Sequence, residues 1–146
     1  MVLTARDIME PDVVTVDGEL DVLACARLLL ERHKGYAVVL DVKKEVAGIV
    51  TEWDFLSKVV AVGASPASLR VREIATPIVR SCAPETPAED VVQMMVTEGI
   101  RRIVVRSGAT VAGVITSRDV LRMFREYIDK LSSQIASYHS NPPLLG

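Results

Sequence analysis

Residues 48–54 read GIVTEWD and residues 113–119 read GVITSRD, nearly the same phrase 65 residues apart. In each, a glycine and two β-branched residues suited to a strand run into Thr-x-x-Asp. A Thr at the N-cap with a carboxylate three residues on is a capping box, the signature of a helix start. Working outward, the likeness extends over most of the chain. At an offset of 66, Arg6 meets Arg72, Ile8 meets Ile74, Pro11 meets Pro77 and Thr15 meets Ser81. The same offset lays ARLLLERHKGYAVVL over VQMMVTEGIRRIVVR. It then falls to 65, because the second copy is one residue shorter between its strands. Residues 5–60 and 71–125 are two copies of one unit.

Each copy has the same coarse order. A short extended piece (13–16; 79–82) precedes an amphipathic helix. A β-branched strand (36–40; 103–106), a turn and a second strand (47–51; 112–116) follow, running into another helix. In the second copy Thr86, Pro87 and Glu89 predict an N-cap, N1 and N3. The first copy has Leu20 where Thr86 sits, which leaves Asp17 as its candidate cap. A three-stranded sheet with helices on one face must bury its other face elsewhere. The expected fold is therefore α+β: two β-α-β-β-α repeats packed sheet to sheet about an approximate two-fold axis, plus a C-terminal helix. The expected boundaries are 4–60, a linker at 61–70 broken by Gly63 and Pro66, 71–125, and a helical extension with its tail at 126–146.

Composition narrows the function. Hydrophobic residues make up 49% of 146 and aromatics 4%, the balance of a compact globular protein. Seventeen basic and nineteen acidic residues are interspersed, and no basic block suits a nucleic-acid backbone as main partner. No apolar run approaches the ~20 residues of a membrane span, and the N-terminus lacks a signal-peptide core, so a cytoplasmic location is expected. Cys25 and Cys82 have no metal-ligand spacing, and Cys25 reads as a buried thiol. With two histidines and no Gly-rich phosphate loop, neither a catalytic residue, a metal nor a catalytic cofactor is expected, and an enzyme is disfavoured.

The ordered set DIMEPDVVTV, amphipathic helix, hydrophobic strand and GIVTEWD, repeated as a whole, resembles the CBS domain. The arrangement is similar to a tandem CBS pair, or Bateman module, over residues 4–125. That resemblance implies a regulatory or sensor module, with an adenosine ligand such as AMP, ADP, ATP or S-adenosylmethionine between the repeats. It also implies further association of two pairs into a homodimer. Any regulated activity would belong to another, unidentified protein.

For the Thr-x-x-Asp pairs, helix capping is by itself a sufficient account. The same geometry suits a ligand, since a helix N-terminus offers free N–H groups to phosphate and a carboxylate accepts ribose hydroxyls. The resemblance implies ribose-binding roles for Asp119 and Asp54, with Thr116 and Thr51 beside them. Arg118 and Ser117 between the second Thr and Asp suit a phosphate, whereas Glu52 and Trp53 stand in the first. The Asp119 side is thus expected to bind better. From the family pattern, base-binding walls are expected from Met9, Val14, Gly35, Tyr36 and Val114 at the Asp119 side, and from Ile49, Ile100 and Arg101 at the Asp54 side. Lys34 and Arg102 complete the expected phosphate contacts.

Beyond the second repeat, Leu121, Phe124, Ile128, Leu131, Ile135 and Tyr138 recur at spacings of 3, 4, 3, 4 and 3. This apolar stripe predicts either a dimer contact or a helix lying on its own domain, and the first is favoured. Two other functions stay open: a ligand-free dimerisation scaffold whose Thr-x-x-Asp pairs only cap helices, and a sensor of an S-adenosylmethionine-type ligand.

Overall fold

The computed structural model describes residues 3–78 and 80–140. The expected extended piece at 79–82 therefore falls partly outside the described residues, as does the tail from 141. The elements run α1 (Ala5–Ile8), β1 (Thr15–Asp17), α2 (Val22–Glu31), β2 (Tyr36–Leu40), β3 (Val46–Thr51) and α3 (Glu52–Phe55), which widens into a π-helical turn at Leu56–Val60. After a 3-10 turn at Pro66–Ser68 come α4 (Val71–Ile74), β4 (Thr76–Pro77), β5 (Ser81–Cys82), α5 (Ala88–Glu98), β6 (Arg102–Ser107), β7 (Thr110–Thr116) and α6 (Ser117–Ser140). The two sheets have the orders β1-β2-β3-β4 and β5-β6-β7. In each, the first pair is parallel across a helix and the second is an antiparallel hairpin. The hairpin turns explain the missing residue. In the first, Asp41 Oδ1 accepts from Lys43 and Glu45 N–H at 2.8 and 3.0 Å while Lys44 takes a positive φ. The shorter second turn places Gly108 at φ 63°, where glycine carries no Cβ penalty.

The sheets pack face to face through Val38, Ile49, Val104 and Val114. On its outer face each sheet buries a helix-covered core, one around Val22, Cys25, Val39 and Val50 and the other around Val91, Ile103, Val105 and Ile115. The repeats exchange their leading arms. Ala5 and Ile8 of α1 enter the second core, and Val71 and Ile74 of α4 enter the first. The exchange is symmetric to the residue. Ala5 N–H donates to Thr86 O and Ala88 N–H to Leu3 O, both at 2.8 Å; Val71 N–H donates to Leu20 O at 2.8 Å and Val22 N–H to Leu69 O at 2.9 Å. The arms then join the opposite sheets: β4 pairs with β3 through Gly48 and Ile49, and Glu10 bridges to Val114.

Both expected helix caps need correction. In α5 the N-cap is Pro87, and the Thr86 hydroxyl instead accepts from Ala83 N–H at 3.1 Å, so the Thr86–Glu89 box does not form. In α2 the cap is Asp21, whose Oδ1 accepts from Ala24 N–H at 2.7 Å; Asp17 serves the preceding turn through Glu19 N–H. In both cases the exchanged arm holds the chain ahead of the helix and moves its start. The helix after β7 and the C-terminal helix are one continuous element, α6.

Candidate functional site

Each Thr-x-x-Asp sits where a strand of the central layer turns into a helix, and each aspartate is buried, Asp54 to 3% and Asp119 to 7% exposure. Asp119 Oδ2 accepts from Thr116 N–H at 2.8 Å and from the Thr116 hydroxyl at 2.9 Å, and that hydroxyl accepts from Asp119 N–H at 3.2 Å. Asp54 Oδ2 accepts from Thr51 N–H and hydroxyl at 2.9 and 3.2 Å. Capping therefore occupies one oxygen of each carboxylate. The other oxygens differ. Among the described residues Asp119 Oδ1 meets only Arg122, at 3.0 Å, whereas Asp54 Oδ1 meets Lys58 at 2.9 Å and the Thr76 hydroxyl at 3.4 Å. Thr76 arrives on the arm of the other repeat.

The two junctions open onto one cleft of about 1020 Å3. Of the residues singled out from sequence, Lys34, Gly35, Tyr36, Ile49, Thr51, Asp54, Arg101, Arg102, Thr116, Ser117, Arg118 and Asp119 all line it, together with Glu52 and Trp53. Four expected wall residues do not. Val14 belongs to the first outer core, and Val114 is fully buried between the sheets. Met9 and Ile100 pack against the second outer core. Packed into these cores, their side chains are drawn away from the cleft.

Glu10, Thr76 and Leu56 line the cleft without having been expected. The repeat held the signal for two of them: Glu10 and Thr76 are the same position at the offset of 66. The exchanged arms bring this position to the cleft from both sides, as Glu10 beside Val114 and Thr76 beside Ile49.

The charges in the cleft are unevenly matched. Asp119 and Asp54 face their own helices' cations, and Lys34 lies 3.4 Å from Asp12. Arg101, Arg102 and Arg118 form no ion pair among the described residues. Arg102 stands 5.8 Å over the Tyr36 ring, a cation–π contact. Burial, with the negative charges of Asp119 and Glu10 adding and Arg102 opposing, pushes the Tyr36 phenol up to about 12. Those charges place Tyr36 toward the Asp119 end. At the other end Glu52 lies against Gly35, and Trp53 is 70% exposed. Burial likewise pushes the Cys25 thiol up to about 11. No group of three or more His, Cys, Asp or Glu side chains able to hold a metal occurs among the described residues, and no helix among them is long and apolar enough to cross a membrane.

Comparison with known proteins agrees with this architecture. The CBS domain family model matches residues 5–61 and 71–126. An uncharacterized protein of Methanopyrus kandleri, MK0525, is 29% identical over 83% of this chain and 62% of its own length. The homoserine O-acetyltransferase of Methanohalobium evestigatum is 27% identical over 83% of this chain, which spans only 24% of that enzyme. Among solved structures, the hexameric CBS-CP12 protein from bloom-forming cyanobacteria is 33% identical, with a TM-score of 0.74 over 99% of this chain and 78% of the other. The CBS domain pair of protein MJ0100, in complex with 5-methylthioadenosine and S-adenosyl-L-methionine, is 23% identical with a TM-score of 0.73 over 87% and 99%. With two matched repeats, exchanged arms and a shared cleft, the chain belongs to the CBS-domain family as a tandem CBS pair.

Proposed function

We propose that this CBS pair is a non-enzymatic regulatory module that binds AMP or another adenosine nucleotide in its cleft, and that it self-associates. The observation that carries the reading is the meeting on one cleft of buried carboxylates with guanidinium groups that form no ion pair among the described residues. A ribose needs an acceptor held in place, and capping holds Asp119 and Asp54 without consuming both oxygens of either. A phosphate needs cations at its own level, and Arg101, Arg102 and Arg118 are there without ion-pair partners among the described residues. Tyr36, with Arg102 already over its ring, offers a flat surface for the base. The likeness to MJ0100 is one of fold, so the ligand class is argued from the cleft itself. Three arginines favour a phosphorylated ligand over a sulfonium. The cyanobacterial protein is hexameric, which supports self-association here.

The Asp119 end is the better site. Among the described residues its second carboxylate oxygen has one partner against two at Asp54, and Ser117 and Arg118 replace Glu52 and Trp53. A ligand that binds only the folded state raises its melting temperature. AMP, ADP and ATP should therefore raise Tm, and S-adenosylmethionine should raise it less. Titration calorimetry should show AMP affinity falling more in Asp119→Ala than in Asp54→Ala. Equal losses refute the asymmetry, and no shift with any adenosine compound leaves the ligand-free scaffold standing instead.

A further inference from the structure

No described residue of this chain covers the apolar stripe of α6. Leu121, Phe124, Ile128, Leu131, Ile135 and Tyr138 are 68, 57, 45, 39, 59 and 58% exposed, which removes the alternative of a helix lying on its own domain. Val120 and Met123, on the adjoining face, pack into the second core instead. We infer that the occupant is α6 of a second copy, running antiparallel, with Leu121 against the partner's Tyr138, Phe124 against the partner's Ile135 and Ile128 against the partner's Leu131.

Three features point there. First, the spacing reads the same from both ends, so an antiparallel copy meets every stripe residue with a stripe residue about a two-fold axis near Asp129 and Lys130. Second, the flanks of the stripe match in this orientation. An antiparallel pair sets each edge against its own kind: Arg125 faces the partner's Ser132, and Tyr127 faces the partner's Gln134. Each is a donor beside an acceptor. Third, the area suffices. Two half-exposed rings and four half-exposed aliphatic chains in each copy amount to about 1,000 Å2 over both, from the burial areas of such side chains. That is the lower limit for a specific interface, so α6 pairing is weak alone and sharpens with any other contact between copies. The inference takes from the proposed function only that a second copy associates, and it is independent of what fills the cleft.

Variants that each add one cysteine decide it. Phe124→Cys and Ile135→Cys proteins, mixed and oxidised, should give a disulfide-linked dimer that neither gives by itself. Leu131→Glu placed in both chains should abolish that product while the circular-dichroism helix signal persists. Self-linking of Phe124→Cys alone would mean a parallel pair and overturn the assignment. A sedimenting dimer with no 124–135 product would also overturn it, while leaving self-association intact. A monomer at all concentrations would overturn both. Wild-type protein, with Cys25 buried and Cys82 half-buried, is the background control.

Discussion

Gly48 and Gly113 hold the exchanged arms against the central strands, and replacing either with alanine should cost more than replacing a third glycine of equal apparent crowding. A Cβ on Gly48 would stand 2.6 Å from Thr76 O, and one on Gly113 would stand 2.7 Å from Glu10 O and 2.8 Å from Met9 Sδ. Backbone oxygens of paired arms cannot step aside without breaking the pairing. At Gly113 the pairing is Glu10 N–H to Val114 O at 2.9 Å and Val114 N–H to Glu10 O at 3.1 Å. Overpacking costs about 1–3 kcal/mol, and loosening two hydrogen bonds adds about 0.5–1.5 kcal/mol each. A total of about 2–6 kcal/mol corresponds to a Tm fall of about 5–25 °C for a chain of this size. Gly35 is the internal control. Its Cβ would lie 2.7 Å from Glu52 Oε1, the end of a flexible, exposed side chain that can swing into solvent. Gly35→Ala should therefore cost less than about 1 kcal/mol, an ordinary surface effect. Urea denaturation of the three variants, with the slope checked for two-state behaviour, measures this. Equal costs at positions 35, 48 and 113 would refute the reasoning, because crowding alone and not the arm would then set the penalty.

Asp119→Ala should destabilise the free protein by about 0.5–2 kcal/mol through its cap alone, whereas Asp119→Asn, which keeps an acceptor for Thr116 N–H, should keep most of that stability; denaturant midpoints without ligand separate the two. Tyr36 should contribute stability fully below the ordinary phenol range near about 10, and that stability should be lost as pH rises toward about 12. The sign follows because the folded state holds the proton longer than the unfolded one. Alkaline unfolding midpoints of wild type and Tyr36→Phe check it, the variant losing less between those limits. Cys25, buried and raised to about 11, should resist a thiol reagent at pH 8 until the protein unfolds.

Much of the fold was legible because it was stated twice. The offset aligned strands with strands, and Tyr36–Leu40 runs as a strand over the bounds its β-branched residues set. The exchange of arms was not legible. Thr76–Pro77 is too short to carry a period, and a two-residue pairing to a distant strand leaves no local trace. The displaced caps are the same omission, since Thr86 and Leu20 give their carbonyls to the arms. At the cleft, polar residues next to strand ends were readable from Thr-x-x-Asp and the positions before β2 and β6. Val14 and Val114 were not separable from wall residues, because a buried valine looks alike whether it faces a ligand, a helix or another sheet. Glu10 and Thr76 share a repeat position but differ in type, so likeness between the copies does not mark them.

The exchanged arms also impose an order on synthesis. The first outer core contains Val71 and Ile74, so the amino-terminal half of the chain cannot close until those residues have left the ribosome. The amino-terminal arm waits longer still, since its seat among Val91, Ile103 and Ile115 is made last. Chains that fold during translation tend to finish their first domain first. Here neither half can finish without the other, and a half-length chain would offer an empty seat and a loose arm to its neighbours.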